Sequence, residues 1–280
     1  MSEYCEVLRS AGNGELEFVS VPESCTCDNL DDFCDAALGD GSESHRHVVC
    51  LTLQDAAFVN HHVISKMSGE LVMSAAADVK VNCKDPELYS EEFLQSLHLP
   101  RVPPAELPLR VGARLNSLGS FSAVCVARFF STSLLICRYM LTRNLDFQRG
   151  MVNGAEVQLL KIHEFCLRVR LASGQEAVLP RINFVIAPDE SGLPFELHRR
   201  QYPIIPAYAL TVHRVQGQTL RFLGLYFTGD VFCHGMLYTA LSRVRSWLLV
   251  KLFRHELHNV GVPCVLRNMV RSHIVRHLRR

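Results

Sequence analysis

A short apolar run that feeds directly into a helix-period segment constrains this chain most. "HVVCLTL", residues 47–53, reads as a buried strand, and "DAAFVNHHVISKM", residues 55–67, follows it at once. Asp55 is placed to cap that helix. Ala57, Val59, Val63, Ile64 and Met67 recur at roughly helical spacing before Gly69 stops it. A strand followed by a helix of this length is an α/β unit. The alternation returns after Pro206: a helix to Gln216, a strand "LRFLGLYF", a helix around Met236–Val244 and a strand "WLLVKLF". Between Met140 and Ile186 the pattern changes to short β runs, with Asn153-Gly154 and Ser173-Gly174 as hairpin turns, which is the signature of a small antiparallel barrel. Residues 86–108 are punctuated by proline and read as extended.

Charge is distributed unevenly. The net charge is +1, yet residues 1–100 carry 5 Lys+Arg against 18 Asp+Glu, and the remainder carries 24 against 10. A basic C-terminal part suits a phosphate backbone, although scattered solvated charge would give the same count. The apolar runs are too short to span a bilayer, and "MSEYCEVLRS" is no secretory segment, so the expectation is an intracellular protein without a membrane or secretory partner. The 11 cysteines do not suggest a disulfide framework. Cys25, Cys27, Cys34, His45, His47 and Cys50 cluster without the paired spacing of structural zinc sites, so free thiols are expected.

Two segments carry the chemistry. "TVHRVQGQTL", residues 211–220, sets a histidine, an arginine and two glutamines around Gly217. Glycine lets the turn bend sharply and approach a ligand closely, and amides there both donate and accept. Solvation of an ordinary turn is the alternative. In "HGMLYTALSRVRS", Leu237, Ala240, Leu241 and Val244 form one buried stripe, which leaves Arg243 on its flank. A guanidinium held there suits a phosphate oxygen, unless it merely snorkels into water.

Together, "FELHRRQYPIIPAYALTVHRVQGQTL" and "VFCHGMLYTALSRV" closely resemble the C-terminal motor motifs of the Pif-one family of superfamily-one DNA helicases, including the helicase part of Helitron transposons. "VLRSAGNGEL", "LTLQDAAFVNHHVISKMSGE", "YSEEFLQSL", "PPAELPLRVGA", "MLTRNLDFQRGMVNGAEV" and "LPRINF" follow the family's order, so the resemblance covers about four fifths of the chain. It implies an α/β fold of the P-loop NTPase type: a second RecA-like lobe interrupted by a small β-barrel at about residues 147–200. The division that follows is an acidic, weakly ordered segment (1–47), the first part of the lobe (48–114), an insertion (115–138), a strand plus barrel (139–200), the second part of the lobe (201–255) and a basic tail (256–280).

The resemblance also assigns roles. Arg243 would be catalytic, reaching the γ-phosphate of ATP, with Gly217 and Gln218 beside the nucleotide. Thr211, His213, Arg214, Gln216, Arg143 and Asn144 would contact DNA. Arg214 stands where the family usually has lysine, and Met236 where glutamine is usual. ATP and Mg²⁺ are the implied cofactors, and single-stranded or forked DNA in the nucleus or mitochondrion the implied partner. The implied activity is 5′→3′ unwinding in DNA repair, recombination and telomere maintenance.

No G-x-x-x-x-G-K-[ST] occurs among the 280 residues, and the aspartate-glutamate pair that holds Mg²⁺ is not recognisable. The expectation is a C-terminal half whose phosphate cradle and metal site lie in a first lobe preceding Met1, and which does not hydrolyse ATP alone. The alternative is a truncated, catalytically inactive nucleic-acid-binding or regulatory module. A related motor on RNA is a third reading. One more departure concerns the 24 residues Leu115–Arg138, serine-rich and apolar. Removing them restores the family spacing as "LRVGARYMLTRNLD", with Arg114 and Arg138 at the two seams. They read as a retained intron translated in frame; a genuine loop is the alternative.

Overall fold

The computed structural model describes residues 3–39, 45–67, 69–97, 99, 101–111, 137–254 and 264–270. The chain divides into two compact units, Met1–Asn60 with Tyr208–Arg280, and His61–Ala207. The division falls inside the helix Leu53–Lys66.

The first unit is built on a five-stranded parallel sheet. Its order is Ala209–Thr211, Arg46–Cys50, Phe222–Phe227, Val250–Arg254, Thr26–Cys27. Parallel strands are covered on both faces and therefore read as continuous apolar runs. Val48, Val49 and Cys50 are fully buried, as are Leu223, Leu225 and Leu252. The helix Leu30–Leu38 starts at Asn29, whose side chain accepts from Asp31 N, and buries Phe33 and Ala37. Gly224 is what lets this helix lie close to the sheet. A Cβ there would stand 2.8 Å from Ala37 Cβ and 3.0 Å from Phe33 Cζ. Tyr226 and Phe253 stack with centroids 5.5 Å apart beside Phe33.

Residues 3–39, expected to be weakly ordered, are built into this unit. The helix Glu3–Gly12 buries Tyr4 and Ala11, and Phe18–Val21 pairs antiparallel with Cys264–Arg267. Their acidic composition hid a sparse set of anchors, among them Phe33, which is fully buried. Cys25, Cys34 and Cys50 are buried and form no disulfide. The cap of Leu53–Lys66 also differs from expectation. Thr52 O accepts from Ala56 N, Thr52 Oγ1 accepts from Asp55 N, and Asp55 Oδ2 accepts back from that hydroxyl. Thr52 is therefore the N-cap, three residues before the expected Asp55, which instead bonds the capping hydroxyl.

Among its described residues the second unit holds three antiparallel assemblies. The largest runs Glu176–Pro180, Cys166–Leu171, Glu156–Ile162, Arg138–Leu141, Ile204–Pro206. A second joins Ile182–Ile186, Glu196–Gln201 and Ala77–Val81, and a third pairs Leu71–Ala75 with Glu106–Arg110. The barrel expected at 147–200 is not seen: among the described residues no pairing joins the two edges of the five-stranded sheet. Pro180 ends its edge strand, and the chain then enters the second sheet instead. Gly174, φ +84°, does turn the hairpin between Cys166–Leu171 and Glu176–Pro180. Asn153-Gly154 makes a turn leading into Glu156–Ile162 rather than a two-residue hairpin. Within the stretch expected to be extended, Glu91–Ser96 is a helix capped by Ser90 Oγ.

Arg199 anchors this unit. Its side chain is fully buried and grips the Asp78 carboxylate through Nε and Nη2 at 2.9 and 2.7 Å, while Nη2 also donates to Leu94 O. Two residues on, buried Gln201 donates to Ser74 O and Ala105 O and accepts from Ser74 Oγ and Tyr202 N. The insertion expected at 115–138 lies outside the described residues except for Cys137 and Arg138, both buried at the start of the strand Arg138–Leu141. Of the basic tail, only 264–270 is described, and it opens with the strand Cys264–Arg267.

Candidate functional site

The polar loop grows out of a sheet edge. "PAYALTVHRVQ" is not the helix its spacing suggested. Ala209–Thr211 is a strand parallel to Arg46–Cys50, and a tight turn follows it. Asn60, 7% exposed on the helix Leu53–Lys66, fixes this course. Its Oδ1 accepts from Tyr208 N at 3.1 Å and Ala209 N at 2.9 Å, and its Nδ2 donates to Ala209 O at 2.8 Å. The side chain thus replaces a missing strand partner, satisfying three backbone groups that a helix would have used internally.

Beyond the strand, inward and outward residues separate cleanly. Val212, Val215 and Leu220 are buried and pin the loop from beneath. His213, Gln216 and Gly217 are exposed, while Thr211, Arg214 and Gln218 are half-buried. Arg214 N donates to Thr211 O, and Gln218 Nε2 donates to Arg214 O. Gly217 has φ +82°, with nothing within 4 Å of a Cβ position, so it is the backbone conformation that favours glycine here.

The second motif packs as its spacing indicated, with Leu237, Ala240, Leu241 and Val244 all buried. The helix itself is short, Met236–Leu241, and Ser242 and Arg243 turn out of it. The half-buried Arg243 guanidinium is fully oriented. Nε donates to Thr239 O at 2.8 Å, Nη2 to Ser242 Oγ at 2.8 Å, and Nη1 to Gln218 O at 3.2 Å. Arg243 O in turn accepts from Leu220 N at 2.9 Å. The two segments singled out in the sequence are therefore one site, tied together at both ends of Arg243. A guanidinium has five N–H groups, and three are engaged in these bonds, which leaves two to meet an incoming anion.

The N-terminal helix supports this arrangement. Tyr4 Oη donates to Leu241 O at 2.6 Å, and its ring meets Trp247 edge-on at 4.9 Å. Burial raises the Tyr4 pKa, with Cys5 and Cys25 adding to the effect, so the hydroxyl stays a donor.

Arg143 and Asn144 belong to the second unit and are both exposed there. Arg143 lies over the Phe184 ring at 5.2 Å, and Asn144 Oδ1 accepts from Asn153 N at 2.8 Å. Among the described residues no group of three His, Cys, Asp or Glu gathers in a way that could hold a metal ion, and no helix is long and apolar enough to cross a membrane. Asn60 and Tyr4 were missed in the sequence. Asn60 carried a signal: it falls four residues from both Ala56 and Ile64, on the buried face of its helix.

No protein-family model matches the chain. It is 40% identical over 111 residues to the ATP-dependent DNA helicase PIF1 of Danio rerio, an alignment that covers 38% of this chain and 17% of that protein. The solved Pif1 helicase of Candida albicans superposes with a TM-score of 0.59 at 16% identity, over 99% of this chain and 57% of that one. The Bacteroides Pif1 helicase in complex with ADP-AlF3 and ssDNA gives 0.58 at 16% identity, over 100% and 53%. At such identities the structural likeness is one of fold. The chain spans about half the length of these solved helicases.

Proposed function

We propose that this Pif1-like chain supplies one side of the nucleotide-and-DNA cleft of an ATP-dependent DNA helicase. The first unit acts as a second RecA-like lobe. Gly217, Gln218 and Arg243 face the nucleotide, and Thr211, His213, Arg214, Gln216, Arg143 and Asn144 face single-stranded or forked DNA. By the family's habit the motor runs 5′→3′. ATP and Mg²⁺ would be held mainly by residues of another lobe. Bound there, they would supply the phosphoryl group and neutralise part of its charge.

Arg243 fits a part in that chemistry. Phosphoryl transfer needs little covalent help from protein and much preorganised positive charge, and an oriented guanidinium provides it. The observation that carries the reading is the Nη1 bond from Arg243 to Gln218 O. A phosphate that draws on the guanidinium alters its hold on the loop, so nucleotide state reaches the residues assigned to DNA. This reading predicts that the chain by itself binds single-stranded DNA without hydrolysing ATP. Its affinity should fall with salt, with a log–log slope of roughly −0.7 for each phosphate neutralised. Robust DNA-stimulated ATP turnover by the pure chain, lost on Arg243→Ala, would overturn the division of labour between lobes. Salt-insensitive or absent DNA binding would overturn the DNA reading.

A further inference from the structure

The turn between Leu145 and Met151 presents a large apolar ring that has no packing role in its own loop. Phe147 is 75% exposed. Floppy loops expose such rings incidentally, but this one is pinned. Leu145 N and Asp146 N donate to Met151 O, Met151 N donates to Asp146 O, and Gly150 N donates to Phe147 O. Asp146 Oδ1 accepts from Gln148 N at 2.9 Å and Arg149 N at 3.2 Å, which fixes the backbone on the C-terminal side of the ring. Gly150, φ +72°, completes the reversal. Met151 is buried and holds the base of the turn to the unit. None of these bonds needs a phenyl group at the tip; a polar residue would close the same turn.

The neighbours of Phe147 are polar and cationic. Gln148 and Arg149 are exposed, and Arg143 lies four residues before the ring. The one acid of the turn, Asp146, is engaged by two backbone amides and by Arg149, 3.6 Å away. An exposed aromatic ring on a fixed turn, with two arginines nearby against one acid, matches a ligand that has a π-face and an anionic backbone. Single-stranded nucleic acid has both, and stacking on aromatic side chains tolerates any base.

We infer that Phe147 is a stacking platform for an unpaired nucleobase, with Arg149 and Arg143 serving the adjoining phosphates. This rests on the nucleic-acid reading above and adds a residue to which no role had been given. The test compares binding of the full chain to a fluorescent oligothymidylate and to an abasic oligonucleotide of equal length, which keeps the phosphates and lacks the bases. Phe147→Ala should weaken oligothymidylate binding by roughly 5- to 150-fold, the range that loss of one stacked base produces. Its abasic affinity and melting temperature should match those of the unaltered chain, because the ring is exposed. Phe147→Trp should keep the affinity, with indole emission quenched on binding. Unchanged oligothymidylate binding by Phe147→Ala would overturn the inference alone. So would full affinity in Phe147→Leu, which would show that an apolar side chain without a stacking face suffices. Failure of the unaltered chain to bind either oligonucleotide would overturn both this inference and the nucleic-acid reading.

Discussion

Arg243 donates from Nη1 to the carbonyl oxygen of Gln218, 25 residues earlier, at 3.2 Å. With the return bond from Leu220 N to Arg243 O, the arginine is clasped to the loop on both sides. The contact makes one object of two motifs, and it runs through backbone atoms, so it survives changes in the glutamine side chain but not in the guanidinium.

Asn60 holds the strand that launches this loop. Asn60→Ala would leave Tyr208 N–H, Ala209 N–H and Ala209 C=O without their partner. Buried groups left unsatisfied cost about 1–3 kcal/mol each, partly relieved by relaxation. The expected loss is about 2–4 kcal/mol in urea denaturation. Hydrogen exchange should quicken at Tyr208 and Ala209, and single-stranded DNA affinity should fall. A variant that loses stability while keeping the exchange rates of these two amides would contradict the positioning role.

Asp78→Ala should be among the most damaging changes in the second unit. It strands a fully buried guanidinium, for which a loss of about 3–5 kcal/mol is typical. Denaturant midpoints of Asp78→Ala and Asp78→Asn check this. The asparagine variant, which keeps one acceptor for Arg199, should lose less.

Stability should decline on the alkaline side. Burial raises the pKa of both Tyr4 and Tyr139 above the ordinary tyrosine value. Above about pH 10 the unfolded chain releases these protons while the folded chain keeps them. The unfolded state then binds fewer protons, so unfolding becomes easier as pH rises. Tyr4→Phe removes its share of the slope and also the bond to Leu241 O, worth about 1 kcal/mol. Urea titrations at pH 8, 9, 10 and 11 measure the slope, and equal slopes in the two proteins would contradict the assignment.

If residues 115–138 are an intron read in frame, a chain lacking them should fold. Arg114 would then precede Tyr139 in place of Arg138, restoring an identical residue at the start of the strand Arg138–Leu141. A cooperative melt at or above the temperature of the longer chain is expected by circular dichroism. Loss of cooperative unfolding would favour a genuine structural loop.

How much could be read in advance depended on how local the cause was. The strand at Arg46–Cys50, the buried stripe at Leu237, Ala240, Leu241 and Val244, and the left-handed Gly217 all follow from neighbouring residues. The helix-compatible spacing of "PAYALTVHRVQ" is overridden by an asparagine 149 residues away from Ala209. Arg199 and Asp78 are 121 residues apart, and nothing in either local sequence marks the pair. The barrel expectation failed for a similar reason. Strand content was legible between Met140 and Ile186, but which edges pair was not. The union of Arg243 with the glutamine loop came from resemblance, and the geometry supplied its atoms.

The most direct measurement joins this chain to a Pif1 first lobe carrying a phosphate loop and follows single-stranded-DNA-stimulated ATP turnover, with and without Arg243→Ala. The joined protein should hydrolyse ATP, this chain alone should not, and the substitution should lower kcat by about 10³–10⁵-fold while DNA binding persists. Turnover in the joined protein that is indifferent to Arg243→Ala would contradict the role given to the arginine and, with it, the cleft built around the Gln218 loop.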